Sequence, residues 1–159
     1  LKQISTAFNP AIYASDISEN AIKCAKKNAI VNGVEKKIKF YKSDLLSSLP
    51  EFLKRKLDLV IFNPPYLPTS SLISNNTQKK SNLTWNGGIR GFDITLRFFR
   101  QIKSFLLSNK SSYIYYITSS TTKLKRFYTE LTNLGFENRI IVKIHIFFED
   151  IFLNRAKLL

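Results

Sequence analysis

The chain has 159 residues, 44% of them hydrophobic, which is enough for one domain with a buried core. Its formal net charge of +14 suits a polyanionic partner such as RNA or a ribosome. A lysine-rich background composition explains the same charge, so nucleic acid stays open as a partner. No apolar run is long enough to cross a membrane, and one cysteine excludes an internal disulfide framework. We therefore expect a cytoplasmic protein without a membrane partner, with the nucleus as the alternative location.

The first elements predicted are a strand and a helix. Residues 11–17 read as a strand that ends on Asp16, and Ser18 is suited to cap the helix that follows. Gly33 provides the stop signal of that helix. Cys24 falls on the predicted apolar face of the helix, so we expect it to be a small core residue rather than a nucleophile.

Two further strands are predicted before the middle of the chain. Residues 37–42 alternate lysines with apolar residues, which is typical of an edge-like strand, and Asp44 follows it. The run from Leu57 to Phe62 is almost continuously apolar, which predicts a strand covered on both faces. This strand must stop at Asn63, because the prolines that follow cannot donate to a sheet ladder.

The second half of the chain continues the alternation of helices and strands. In chain order the patterns predict a long polar loop over 67–86, a helix with an apolar stripe over 92–106, a strand over 112–118, a helix over 124–134 and an antiparallel pair over 139–148 and 152–159. Loops of such length are usually functional or disordered, and we assign this one to the substrate side. The whole pattern predicts an α/β fold with a mainly parallel sheet.

The residues that end the apolar strand can hold a flat amino group. The lone pair of a planar NH2 group is delocalised, so the group is a poor nucleophile until acceptors bind its two N–H groups. The side-chain oxygen of Asn63 and the carbonyl of Pro64, made rigid by Pro65, are suitable acceptors. Tyr66 can lie against the flat group. The alternative is a strand that ends in a chance Pro-Pro turn.

These four residues together resemble the catalytic motif of amino-methyltransferases that use S-adenosyl-L-methionine. Within that group the chain is similar, from Ala14 to its end, to the HemK-type glutamine methyltransferases of class 1 release factors, especially their eukaryotic and archaeal branch. The resemblance implies a single Rossmann-like class I methyltransferase domain over residues 1–159, with an antiparallel C-terminal strand. It also implies S-adenosyl-L-methionine as the cofactor. The implied substrate is a release factor, methylated on glutamine in its Gly-Gly-Gln loop.

The same resemblance assigns cofactor contacts to the first half of the chain. The carboxylate of Asp16 can accept from both ribose hydroxyls, and that of Asp44 can accept from the adenine amine. A helix-start acid and a turn acid are the respective alternatives. In the family, the residue after the first acid packs on the adenine, which here is Ile17. We include Leu45 and Asn63 in the same cofactor site.

The chain departs from the family pattern at its beginning. The family places a strand and a G-x-G-x-G loop before the strand that ends at Asp16, and this sequence starts without them. We therefore expect an N-terminally incomplete methyltransferase in which the Asp16 and Asn63 strands lack their common neighbour, with no useful activity from these residues alone. The segment from Trp85 to Gly91 resembles the family's W-x-G-G-x-x-G stretch, and a glycine-rich helix start is the alternative.

Other functions and partners stay open at this point. The motif serves adenine N6-methylation of DNA or RNA equally well, because that base also presents a conjugated NH2 group. An inactive basic Rossmann-like binding module is a third hypothesis. The resemblance implies a small zinc-binding activator subunit, for which the strand carrying Ile38 and Phe40 is a candidate edge. With His145 and Cys24 as the single members of their types, we predict no metal site.

Overall fold

The computed structural model describes residues 10–68, 86–107 and 112–159. The chain divides into two compact units, Leu1–Glu51 and Phe52–Leu159. A single methyltransferase domain over residues 1–159 therefore stays a prediction. Most of the predicted loop over 67–86 lies outside the described residues.

The first unit is a strand–helix–strand unit with a two-stranded sheet. β1 (Ile12–Asp16) and β2 (Ile38–Lys42) pair in parallel, and α1 (Glu19–Val31) connects them. The hydroxyl of Ser18 accepts a hydrogen bond from the Ala21 amide at 3.3 Å, so the predicted cap is confirmed. The predicted strand ending on Asp16 is confirmed as well.

The buried face of α1 differs from the predicted one. The helix buries Ile22 and Ala29, whereas Val31, which shares the predicted apolar face with Cys24, is 83% exposed. Cys24 is exposed too, so its prediction as a core residue is wrong. Among the described residues of this unit, α1 contacts β1, β2 and the short 3-10 helix Glu35–Lys37. This surface buries a single stripe of the helix, which lies roughly 100° around the helix axis from the predicted face.

The described residues of the second unit form a four-stranded sheet and two α-helices. Its elements in chain order are β3 (Leu59–Phe62), α2 (Asp93–Ile102), β4 (Tyr113–Ser119), α3 (Leu124–Asn133), β5 (Phe136–Ile146) and β6 (Glu149–Leu158). The strand order is β3-β4-β6-β5. β3 and β4 are parallel, and β6 runs antiparallel to both of its neighbours, as expected for a reversed last strand. Within the described residues, β1 and β3 belong to different sheets.

The terminal pair is longer than the sequence indicated. β5 begins at Phe136, which is fully buried and pairs with Leu158. β6 begins at Glu149, because Ile146 and Glu149 pair across a tight turn. The polar residues between Phe136 and Ile140 hid this start from the sequence pattern.

Aromatic side chains of α2 and α3 cover one face of this sheet. Phe98 stacks on Phe62 of β3, with 4.1 Å between ring centroids. Phe99 and Phe127 meet Tyr116 of β4 edge-on at 5.1 and 6.0 Å. Because Phe62 is the last residue of β3, this packing fixes the point from which the following segment leaves the sheet.

A polar network lies within the same face. Asn154 is fully buried, and its side-chain oxygen accepts from the Tyr128 hydroxyl at 2.9 Å and the Asn138 amide at 3.2 Å. Its own amide donates to the Thr118 hydroxyl at 2.9 Å. The Tyr116 hydroxyl donates to the Asn138 oxygen at 2.8 Å, and burial raises the pKa of Tyr116, so that this donor stays protonated. Asn154 therefore connects β4, α3, β5 and β6.

We expect Asn154→Ala to destabilise the protein by about 2–4 kcal/mol, because it leaves several buried polar groups without their shared partner. Urea unfolding of the two proteins measures the difference. Thr129→Ala is the matched control, since its hydroxyl is exposed and bonds only within its own helix. The control should change stability by less than about 0.5 kcal/mol. An equally small effect at Asn154 would contradict the prediction.

Candidate active site

The Asn63–Tyr66 motif lies directly beyond the end of β3. β3 ends at Phe62, so the predicted strand stop at Asn63 is confirmed. The predicted cover on both faces is wrong, because Leu59 and Ile61 on one face are 55% and 79% exposed. Asn63 is exposed, Pro64 is buried, and Pro65 and Tyr66 are half-buried. Among the residues that the structure describes, none is hydrogen-bonded to the Asn63 side chain. The segment therefore exposes the side-chain amide of Asn63, while the residues after it are packed against the protein.

The turn from Gly87 to Gly91, called the glycine turn below, packs against this segment. The Gly87 amide donates to the Leu67 carbonyl at 2.8 Å. A Cβ atom on Gly87 would lie 2.8 Å from the carbonyl oxygen of Pro65, and one on Gly91 would lie 3.1 Å from that of Tyr66. Gly91 also has a φ of +78°, which strongly favours glycine. Only glycines at these two positions allow the turn to approach the motif so closely.

Arg90 fastens that turn to both helices. Its Nε lies 2.5 Å from Asp93 Oδ1 at the start of α2, and a terminal nitrogen lies 2.8 Å from Glu130 Oε1 in α3. The guanidinium carbon also lies 4.8 Å from the centre of the Phe92 ring. The hydrogen bond with Asp93 raises the pKa of Arg90, so its charge is secure.

The sequence did not indicate this support. The glycine spacing in the stretch that resembles W-x-G-G-x-x-G is the feature that relates to this packing, but the spacing by itself indicated only a helix start. Trp85, the first residue of that stretch, lies outside the described residues.

The predicted cofactor acids lie together at one edge of the first unit. Asp16 is the last residue of β1, and the Ser43 amide donates to its backbone carbonyl at 2.9 Å. Asp44 follows Ser43 directly after β2. Both acids are exposed. The Asp16 Oδ1 atom accepts from the Ser18 amide at 2.7 Å, which orients the carboxylate at the start of the helix.

The two neighbouring candidates differ in their surroundings. Ile17 is 43% exposed and therefore presents an apolar surface next to Asp16. Leu45 is half-buried and has a φ of +53°, with its carbonyl 3.5 Å from the Ser15 hydroxyl. The turn after β2 is thus held against β1. The structure brings Asp16, Ile17, Asp44 and Leu45 to one strand edge of the first unit, while Asn63, Pro64, Pro65 and Tyr66 belong to the second.

Neither a metal cluster nor a membrane span is found in the described part of the chain. No group of three or more His, Cys, Asp or Glu residues could hold a metal ion there. His145 instead pairs with Asp150 at 2.9 Å. None of the described helices is long and apolar enough to cross a membrane.

Solved structures identify the fold. The Mtq2–Trm112 complex of E. cuniculi, whose function is methylation of the translation termination factor eRF1, matches 96% of this chain and 87% of its own, with a TM-score of 0.58 and 17% identity. A ribosomal protein L11 methylase of Lactobacillus delbrueckii matches 91% of this chain and 56% of its own, with a TM-score of 0.56 and 18% identity. The fold is that of the class I methyltransferases, as the sequence predicted.

Sequence relatives narrow this class to a family. A protein N5-glutamine methyltransferase of Methanocaldococcus jannaschii is 34% identical over 91% of this chain and 68% of its own length. A release factor glutamine methyltransferase of Bacillus anthracis is 35% identical over 62% of this chain, which is only 35% of that protein. A family model for RNA cap guanine-N2 methyltransferases matches residues 2–79. The chain belongs to the protein N5-glutamine methyltransferase family.

We expect Arg90→Gln to destabilise the protein by about 1–2 kcal/mol, because it removes two charge-assisted contacts that are about two-thirds buried. Urea unfolding measures this difference. Arg126→Gln is the matched control, since Arg126 contacts the same Glu130 oxygen but its side chain is 60% exposed. If Arg126→Gln lowers the free energy of unfolding as much as Arg90→Gln does, Arg90 has no particular role in stabilising the glycine turn.

Proposed function

We propose that the protein containing this chain transfers a methyl group from S-adenosyl-L-methionine to the glutamine N5 of a class 1 release factor, in its Gly-Gly-Gln loop. The observation that carries this proposal is that Asn63, the first residue after β3, is exposed, while the next residue, Pro64, is buried. The archaeal and Bacillus relatives are glutamine methyltransferases by name, which supports glutamine as the acceptor. The E. cuniculi complex supports a translation termination factor as the substrate.

The motif acts on the acceptor amide through hydrogen bonds. The side-chain oxygen of Asn63 and the backbone carbonyl of Pro64 each accept one N–H of the glutamine side chain. Their pull on the two protons favours a localised lone pair on nitrogen. The half-buried Tyr66 limits how the flat amide can tilt. Pro64 is buried, so its carbonyl is held before substrate arrives and this acceptor needs little reorganisation during the reaction.

The edge of the first unit suits the adenosine part of the cofactor. Asp16 offers an exposed carboxylate for the ribose hydroxyls, with the apolar Ile17 beside it for the adenine ring. Asp44 and Leu45 follow the neighbouring strand, where they would contact the adenine amine and ring. When bound, S-adenosyl-L-methionine supplies the activated methyl group.

A second candidate is methylation of an exocyclic base amine in DNA or RNA, such as adenine N6. The match of residues 2–79 to a family of RNA cap guanine-N2 methyltransferases favours it, since that reaction also acts on a base amine. The net charge of +14 is compatible with a nucleic-acid substrate. Assaying both acceptor types with one preparation decides between the candidates.

We further propose a small zinc-binding activator protein as partner and a cytoplasmic or nuclear location. The Mtq2–Trm112 complex supports the partner by analogy of fold. Among the described residues, β2 pairs only with β1, so its other edge is the proposed docking strand.

We expect Asn63→Ala in the full-length protein to reduce the rate of release-factor methylation by about a hundredfold or more, because one of the two acceptors for the reacting amide is lost. Cofactor affinity should change little. The assay follows transfer of a labelled methyl group, and calorimetry follows cofactor binding. Asn32→Ala, at the exposed end of α1, is the control.

Full activity in the Asn63 variant would contradict the catalytic assignment. Activity of the wild-type protein on nucleic acid but not on the release factor would favour the second candidate. Transfer to neither acceptor, with any activator supplied, would favour the inactive binding module.

We expect Asp16→Ala to weaken S-adenosyl-L-methionine binding about ten- to hundredfold, the range for losing hydrogen bonds to a charged group. Calorimetry on the full-length protein tests this expectation. Glu19→Ala is the control, because Glu19 is also an exposed acid at the start of α1 but is paired with Lys42. If both variants bind the cofactor like wild type, Asp16 is only a helix-start acid.

A further inference from the structure

The β5–β6 hairpin extends from the sheet at the same edge as the candidate active site. β5 runs parallel to β3 and β4, because both β4 and β5 are antiparallel to β6. Its carboxyl end therefore lies at the edge where Asn63 follows β3. Pairing with β4 stops at Ser119, opposite Ile151, whereas the hairpin continues to the pair formed by Ile146 and Glu149. Its tip thus projects beyond the sheet.

Two phenylalanines form the tip, and the side chains of both are exposed to solvent. Phe147 is 87% exposed and Phe148 is 100% exposed. The adjoining Ile144 and Ile146 are 55% and 43% exposed. A contiguous apolar surface of this kind on a single projection is unusual for a soluble protein, and such surfaces commonly mark contacts with partners.

The backbone at the tip adds a second observation. Phe147 has a φ of +52° at the first position of a two-residue hairpin turn. This position favours glycine, and a bulky side chain there is strained. The fold alone would therefore select a glycine at position 147. A strained, exposed aromatic residue indicates a role outside folding.

Polar contacts hold the stem of the hairpin in place. The Asp150 carboxylate contacts Lys143 at 2.8 Å and His145 at 2.9 Å on the opposite strand. The Asp150 amide donates to the Ser120 hydroxyl, just beyond β4, at 2.9 Å. Glu149 accepts from the Ser119 hydroxyl. The tip is therefore presented on a fixed support, which lowers the entropy lost when a partner binds.

The distance between the tip and the end of β3 is larger than one side chain. β5 is three strands from β3 in the sheet, which is roughly 14 Å at ordinary strand spacing. The tip extends about three residues past the end of β4, or roughly 10 Å. An acceptor that touches both Asn63 and the tip must therefore have a surface around its methylated residue, as a folded protein has.

We propose that Phe147 and Phe148 dock the protein methyl acceptor by entering an apolar depression on its surface, outside the methylated loop. The proposal rests on the proposed function and deepens it. Glu149 lies directly beside the tip, and its negative charge disfavours a phosphodiester backbone, whereas Lys143 offsets the charge of Asp150. The apolar Ile144 and Ile146 extend the same contact. A protein surface is thus a better match than RNA.

The test uses the full-length protein with Phe147→Gly and Phe148→Ser combined. Glycine suits the φ of +52°, so thermal stability should be retained or raised. Val31→Ser is the matched control, because Val31 is an equally exposed apolar residue in the first unit. Two acceptors are compared, the intact release factor and a short peptide that contains only its Gly-Gly-Gln loop.

For the intact release factor we expect KM to rise about tenfold or more, as for the loss of interface hot spots, with kcat unchanged. Kinetics with the short peptide should be the same for all three proteins. Direct titration of the release factor, without turnover, should show the same loss of affinity in the double variant.

An unchanged KM and affinity for the intact factor would overturn the proposal. So would an equal loss with the peptide, or a loss of affinity for single-stranded RNA instead. If wild type methylates neither acceptor, the proposed function fails, but the titration still decides the docking role. Wild type that does not bind the release factor at all would refute the docking role as well.

Discussion

The candidate active site depends on the two prolines that follow β3. Neither can donate a hydrogen bond to a neighbouring strand, so the sheet cannot continue past Asn63, and β3 ends at Phe62. The chain must turn at the point where Asn63 leaves the sheet. Pro64 is buried, so the rigid part of the motif lies against the protein while the Asn63 amide stays in solvent. No described residue is hydrogen-bonded to the Asn63 side chain, and the Pro64 carbonyl is fixed by the same constraint.

The core of the second unit transmits this constraint to the rest of the structure. Stacking of Phe98 on Phe62 fixes the end of β3, and the helix that carries Phe98 begins beside the glycine turn. Arg90 joins that turn to α3 through Glu130. A motif in a connecting segment thereby acquires the rigidity of the helices. Such rigidity matters because hydrogen-bond acceptors stabilise a reacting group only when they are already in position.

The motif alone does not select an acceptor. Glutamine and adenine both present a planar NH2 group, and Asn63 with Pro64 can bind either. Selection must therefore come from surfaces around the motif, where a protein and a nucleic acid differ in shape and charge. The projecting tip of the β5–β6 hairpin, apolar and followed directly by Glu149, is one such surface in the second unit. Its aromatic residues have no function in the core.

Local chemistry in the sequence determined the class of fold, the end of β3 and the predicted site residues. Prolines stop strands, apolar runs form them, and acids after strands lie at a sheet edge, so these features depend on neighbouring residues alone. Only the tertiary structure decided which stripe of α1 is buried, and it exposes Cys24. It alone brought Gly87 against Pro65 and joined Asn154 to residues of three other elements. These contacts join residues distant in the chain, and their geometry follows from packing rather than from any local pattern.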